Sequence, residues 1–344
     1  MKKKALIIGG SGGLSGRLAT MAQKEYDVWV LTRGKRPLPD GVHPLTADRN
    51  DTEAFLHGLC SFNGHGLCSL KGHDVYSSKT TSSIRAEDLD TSSVHPHWNV
   101  VFDCICMNET HAKQDLEVLS RFTDRLVVIS TDSVYDPAHK QTPQTEEGVF
   151  IEETGTPEEC SYAGNKRRME HVFLDSFEQA SSTLRTTIFR PGHIYGPGFL
   201  LGCFPEHSRQ ESLPDLIVRG ETLSLVGGGI YLTHPIFVDD LAQAMLDCVD
   251  CPDTYNEIFC IGGPEAVENR CYYEIIGKIL DTPVRIKAIP LTGYVEAHPE
   301  YAGHLCHRIY DLGKLKKAGV PLPSTSLGKG LRKHLQSILN NKRH

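Results

Sequence analysis

The sequence predicts an α/β protein built on a doubly wound parallel sheet, with a smaller, interleaved C-terminal lobe. Two observations carry the prediction. Short, nearly continuous apolar runs alternate with helix-patterned segments through the first third of the chain, and a glycine-rich turn separates the first run from the first helix. Apolar character on both sides of a strand means that both faces are covered, as in a parallel sheet. With 39% hydrophobic and 23% charged residues in 344, the composition is that of an ordinary globular chain with a sizeable core.

Taken in order, KALIIGG (4–10) is an apolar strand ending in glycines, and LSGRLATMAQKEY (14–26) is an amphipathic helix. DVWVLTRG (27–34) is a second strand, HPLTADRND (43–51) ends a third, and NVVFDCICM (99–107) is a fourth. ETHAKQDLEVLSRFTD (109–124) reads as a helix, RLVVISTDSVY (125–135) as a fifth strand, and SYAGNKRRMEHVFLDSF (161–177) as a helix. TTIFRPGHIYGPG (186–198) contains a sixth strand, and FVDDLAQAMLDCV, IFCIGG and DLGKLKKAGVP continue the mixture of helix and strand. Residues 57–97 interrupt the rhythm with the tandem repeat HGLCSFNGHGLCSLKG and a polar Ser/Thr/His run, which predicts a flexible insertion. The repeat brings His57, Cys60, His65, Cys68 and His73 close in sequence, but their spacing matches no familiar zinc set, so no metal is expected. The expected division is a dinucleotide-binding domain over 1–190 and a mainly substrate-binding lobe over 191–344, with 236–263 returning to the first.

The chemistry begins at IIGGSGGLSG, where Gly10, Gly13 and Gly16 stand between a strand and a helix. Glycines there permit a tight turn and let backbone amides approach a pyrophosphate at the helix N-terminus, which favours anions. A dinucleotide is therefore the expected cofactor. NAD sites usually place an acid at the end of the second strand for the ribose hydroxyl. This chain has Thr32-Arg33-Gly34-Lys35-Arg36 instead, and a guanidinium suits a 2′-phosphate, so NADP is favoured over NAD. Asp48, ending the third strand, is placed to accept from the adenine amino group. Ser130 to Ser133 fall at the end of the fifth strand, where ligands of open α/β sheets bind. Tyr162 and Lys166 are one helical turn apart, so their heads can share one small volume. A lysine nearby favours the phenolate, and a tyrosine tuned toward working pH can move a proton.

The glycine turn, STDSVY, Tyr162-x-x-x-Lys166 and RPGHIYGPG, in this order, resemble the extended short-chain dehydrogenase/reductases, the NAD-dependent epimerase/dehydratase family. The likeness covers nearly the whole chain outside 57–97 and implies a Rossmann fold and an NAD(P)-dependent oxidoreductase or epimerase. It implies Tyr162 as general acid/base, Lys166 on the nicotinamide ribose, and Thr131 on the reacting oxygen. Around the cofactor it implies Gly10, Ser11, Gly12, Gly13, Leu14 and Gly16, then Arg33, Asp48 and Arg49. Main chain at Cys104, Ile105 and Cys106, and Pro191 with His193 beside the nicotinamide, complete that set. Thr131, Asp132, Ser133 and His193 would face the substrate. Ser133 stands where sugar dehydratases of the family carry a glutamate, and Thr233 where many nucleotide-sugar members carry an arginine. Both departures widen the expected substrate to a sugar nucleotide or another polar hydroxyl or keto compound. The family commonly pairs the helices near 109–124 and 156–178 into a homodimer.

Other features narrow the class. A net charge of −7 speaks against a nucleic-acid surface, and no apolar run approaches a membrane span. MKKKALIIGG has too few apolar residues for a signal peptide, and eleven scattered cysteines suit reduced thiols in the cytoplasm. Cys248 and Cys251 form a C-x-x-C that reads as structural. Two rivals remain: an RNA-binding relative of the same fold, and a non-catalytic NADP-binding sensor.

Overall fold

A computed structural model describes residues 2–60, 97–156, 158–179, 183–203 and 205–341. The first half follows the sequence closely: β1 Lys3–Ile8, α1 Gly13–Ala22, β2 Tyr26–Thr32, β3 His43–Thr46, α2 Thr52–Cys60, β4 Val100–Asp103, α3 Glu109–Val118, β5 Arg125–Ile129, α4 Tyr162–Phe177 and β6 Arg185–Pro191. Then come β7 Ile194–Tyr195, α5 Leu213–Val218, β8 Thr222–Val226, β9 Leu232–Thr233, β10 Ile236–Phe237, α6 Val238–Asp247, β11 Glu257–Ile261, β12 Val267–Glu268, α7 Asn269–Ile279, β13 Arg285–Ile289, α8 Tyr294–Ala297, α9 Gly313–Lys317 and α10 Leu327–Asn341.

Seven strands form one sheet in the order β11-β6-β5-β4-β1-β2-β3, and the pairs from β3 to β5 are parallel. The doubly wound expectation holds, with the order reversing between β1 and β4. The reason is visible in β1, whose Ala5, Leu6, Ile7 and Ile8 are all 0% exposed. A strand covered on both faces has no polar side to alternate with. The first helix is shorter than its apolar pattern suggested: α1 stops at Ala22, and Tyr26 already begins β2.

The chain divides into two compact units, residues 1–129 with 155–188, and residues 130–154 with 189–344. In the first, α3 packs on α4. Asn108 caps α3 by accepting from the His111 amide at 2.9 Å, and Ser161 caps α4 by accepting from the Gly164 amide at 3.1 Å, each satisfying a donor the helix leaves open. In the second, Tyr195, Leu213, Tyr272, Tyr273 and Leu331 form the centre of a separate core, and β8 pairs in parallel with β13.

Of the expected insertion, His57 and Cys60 belong to α2, while residues 61–96, with His65, Cys68 and His73, lie outside the described residues. The Cys248 thiol donates to the Met245 carbonyl at 3.2 Å and that of Cys251 to the Ala318 carbonyl at 2.7 Å, so both thiols are engaged with main chain. No described helix is long and apolar enough to cross a membrane.

Candidate active site

A cavity of about 650 Å³ in the first unit is lined from four turns. Gly9, Ser11 and Gly12 follow β1, and Thr32, Arg33, Lys35 and Arg36 follow β2. Asp48, Arg49 and Asn50 follow β3, and Ile105, Met107, Asn108 and His111 follow β4. Every one of these turns leaves the carboxyl end of a strand, where ligands of open α/β sheets bind.

The glycine turn fits a dinucleotide. Gly9 holds a left-handed φ of 96°, and a Cβ there would lie 2.7 Å from Ile105 Cγ2. A Cβ on Gly10 would lie 2.2 Å from Val30 Cγ1. The Gly12 amide donates to Ser15 Oγ at 3.0 Å, and that hydroxyl donates to the Gly9 carbonyl at 2.5 Å. The turn is thus held from inside α1 and presents backbone, plus Ser11, to the cavity. Gly10, Gly13, Leu14 and Gly16 shape the turn without lining it. Gly16 is less constrained than Gly10, since its Cβ would meet only the Gly10 carbonyl, at 3.6 Å. Gly10→Ala is therefore expected to cost about 1–3 kcal/mol by overpacking, while Gly16→Ala keeps the parent melting temperature. Thermal denaturation checks both, and a Gly10→Ala protein as stable as the parent would refute the tight turn.

Arg33, Lys35 and Arg36 are exposed. Asp48 Oδ1 accepts from the amide and from Nδ2 of Asn50, both at 3.0 Å. These bonds, aided by the charges of Arg33 and Lys35, hold its carboxyl below the ordinary value. Arg49 behaves differently from the cofactor contact that the sequence suggested. Although it lines the cavity, its guanidinium is buried, donating to Asp103, to Asp115 Oδ1 at 2.7 Å and to the His111 carbonyl at 3.1 Å. Its charge is taken up by carboxylates of β4 and α3. Burial would raise Asp103, but the Arg49 charge and the hydrogen bonds from Asp115, the Ile105 amide and Arg49 together outweigh it and the carboxyl sits low, whereas burial pushes Asp115 well above the ordinary range.

His111 was not foreseen. Its Nδ1 accepts from the Met107 amide at 3.2 Å, leaving Nε2–H to donate to Asn50 Oδ1 at 3.1 Å. Burial, then Arg49, lowers its pKa to about 4, which keeps the imidazole neutral. The signal was present, since His111 lies only a few residues past Cys106, in the segment that follows β4. Burial pushes the Cys104 and Cys106 thiols up, against thiolate chemistry there. Ile105 instead donates its amide to Asp103 Oδ1 at 2.7 Å.

Tyr162 and Lys166 meet unlike surroundings. Tyr162, the first residue of α4, is 57% exposed, whereas Lys166 is 1% exposed. The Lys166 ammonium donates to the carbonyls of Cys106 and Ile129 at 2.6 and 2.7 Å, and burial lowers its pKa. Helical side chains lean toward the N-terminus, so a tyrosine on the first turn reaches past the helix end while Lys166 lies against the sheet.

In the second unit, Thr131 Oγ1 accepts from the Ser133 amide at 3.2 Å, capping a short 3-10 turn. Asp132 was expected at the substrate, but its carboxylate is occupied inside the protein. Arg308 grips both oxygens at 2.7 Å through Nε and Nη2, the Tyr310 hydroxyl donates to it, and Lys140 Nζ lies 3.4 Å away. Against the penalty of burial, Arg308 and Lys140 hold this carboxyl far below the ordinary range. Arg308, Tyr310 and Lys140 were not legible as its partners. Pro191 is buried at the end of β6. His193 meets Tyr272 edge-on at 5.7 Å, and its buried Nε2 has no hydrogen-bond partner among the described residues. Burial above all lowers its pKa to about 3. The space it shares with Thr233, His304 and Arg308 is about 10 Å³, room for about one water.

A glycine turn at the reversal point of a parallel sheet, facing a cavity of this size, defines a Rossmann-type fold with a site that suits a dinucleotide. Residues 105–262 match the NAD dependent epimerase/dehydratase family. A dTDP-glucose 4,6-dehydratase of Neisseria gonorrhoeae is 26% identical over 220 residues, 62% of this chain and 59% of that protein. An epimerase of Methanothermobacter thermautotrophicus superposes with a TM-score of 0.72 at 14% identity, over 99% of this chain and 94% of the other. A UDP-glucuronic acid 4-epimerase of Bacillus cereus, solved with UDP-glucuronic acid and NAD, gives 0.68 at 17% identity over 98% and 99%. The two structural likenesses bear on the fold alone. The matched stretch carries STDSVY, Tyr162-x-x-x-Lys166 and RPGHIYGPG, so the comparisons agree with the NAD-dependent epimerase/dehydratase family that these motifs implied.

Proposed function

We propose that this protein is an NAD(P)-dependent oxidoreductase or epimerase acting at a hydroxyl-bearing carbon of a sugar nucleotide or another polar hydroxyl or keto substrate. The observation that carries the reading is the 650 Å³ cavity with the backbone turn after β1 on one side and Arg33, Lys35 and Arg36 on another. Backbone at Ser11 and Gly12 would hold the pyrophosphate, and Asp48 the adenine. When bound, the nicotinamide supplies hydride exchange with the substrate carbon. Tyr162, 57% exposed, takes the proton from the substrate hydroxyl or returns it. Lys166 contributes a fixed positive charge one helical turn along, which favours the phenolate. Thr131, whose Oγ1 already accepts one amide, keeps its hydroxyl proton for the reacting oxygen. The pair α3 and α4 is the proposed homodimer face, and light scattering that gives a monomer mass would remove it.

The cofactor proposed first is NADP. A charge-assisted contact to the 2′-phosphate contributes about 1.5–3 kcal/mol, roughly 10- to 100-fold in affinity. NADPH should therefore bind more tightly than NADH, and Arg33→Ala should erase most of that difference while sparing NADH. Calorimetric titration tests it: equal affinities in the parent would leave Arg33 in solvent. A second reading, a dinucleotide sensor without turnover, draws on the engagement of Lys166 by two carbonyls.

A further inference from the structure

At residues 205–210 of the second unit, His207 and Arg209 both hold left-handed backbone, φ 55° and 47°, a region that side-chain-bearing residues seldom adopt. His207 is fully employed. Its Nδ1 donates to Gln210 Oε1 at 2.7 Å, and its Nε2 accepts from the Ser224 amide at 3.1 Å, so the imidazole pins the turn to β8. Arg209 is exposed and makes no hydrogen bond or ion pair with any described residue. Beside it, the Ser208 hydroxyl is buried and has no partner among the described residues. Both residues line a cavity of about 500 Å³ together with Glu206 and Tyr301.

Ser208 brings to this cavity a hydroxyl, and Arg209 a guanidinium, that no described residue satisfies, and a guanidinium suits an oxyanion. The surrounding charge agrees. Among the described residues Asp132 is the carboxylate that answers both Arg308 and Lys140, and the Arg209 charge is felt at His193 and His304, two imidazoles that burial already keeps neutral. Glu206 is the opposing anion in the cavity, and its Oε1 accepts from the Tyr294 hydroxyl at 2.8 Å. It suits a ligand that presents hydroxyls beside its negative group.

We propose that Ser208 and Arg209 form an anion subsite that takes the phosphate or carboxylate of a hydroxyl-bearing substrate. This deepens the proposed function and rests on the second unit's role in holding substrate. The test is calorimetric titration of the full chain at low salt with inorganic phosphate and, separately, with acetate. It compares the parent with Arg209→Ala, Arg209→Gly and, away from the turn, Arg33→Ala. One binding event for phosphate or acetate should weaken about 10-fold in both Arg209 variants and persist in Arg33→Ala. Whichever anion responds identifies the group the subsite takes. Arg209→Gly should also melt at or above the parent temperature, because glycine adopts the left-handed backbone freely. Unchanged affinities for both anions in Arg209→Ala would overturn the proposal, as would a response to Arg33→Ala alone. The readout needs neither cofactor nor turnover, so a failure to bind dinucleotide would remove the proposed function and leave this result standing.

Discussion

Tyr162→Phe is expected to lower turnover by about 100-fold or more while leaving dinucleotide affinity and melting temperature near those of the parent. A free tyrosine titrates near 10, and bringing it to about 7 requires roughly 4 kcal/mol of preferential phenolate stabilisation. Lys166 is the group on this chain that can supply a share of it. Its ammonium is held rigidly by the Cys106 and Ile129 carbonyls, and carbonyl partners leave its charge in place. The phenol itself is 57% exposed, so losing its hydroxyl should remove little packing and no buried hydroxyl. The measurement is NADP(H) absorbance change with nucleotide sugars and small carbonyl compounds, beside cofactor titration of both proteins. Unchanged turnover in the phenylalanine variant would sink the acid/base role, and cofactor binding without any turnover in the parent would favour the sensor.

Arg49→Ala should have the largest effect on stability. Arg49 is 4% exposed, and Asp103 and Asp115 are 0% exposed. Removing the guanidinium leaves two carboxyl groups buried side by side without a counter-charge, and breaking a buried pair in this way costs about 3–5 kcal/mol. The melting temperature should fall by roughly 5–10 °C. The loss has a direction in pH. Without Arg49, both carboxyls bind protons more tightly in the folded chain than in the unfolded one, so the variant regains stability as pH falls and loses it as pH rises. A variant that melts with the parent at pH 8 would show that the guanidinium is free to serve a ligand in the cavity.

These two residues also mark how far the sequence could be read. The strands were legible because β1, β4 and β5 are continuous apolar runs, and such runs report a sheet covered on both faces. The glycine turn was legible because a strand, a glycine cluster and a helix follow one another within a few residues, so its geometry is local. Tyr162 and Lys166 were legible as neighbours by helical spacing, although that spacing does not say which one is buried. Tertiary structure decided that, by laying Lys166 against the ends of β4 and β5 and leaving Tyr162 beyond the first turn of α4. It also decided where charges are neutralised. Arg49 meets Asp103 and Asp115 across 54 and 66 residues of chain, and Asp132 meets Arg308 across 176. Periodicity and turn chemistry act over a few residues and specify backbone, whereas the partner of a buried charge depends on which distant segments the fold brings within hydrogen-bond reach.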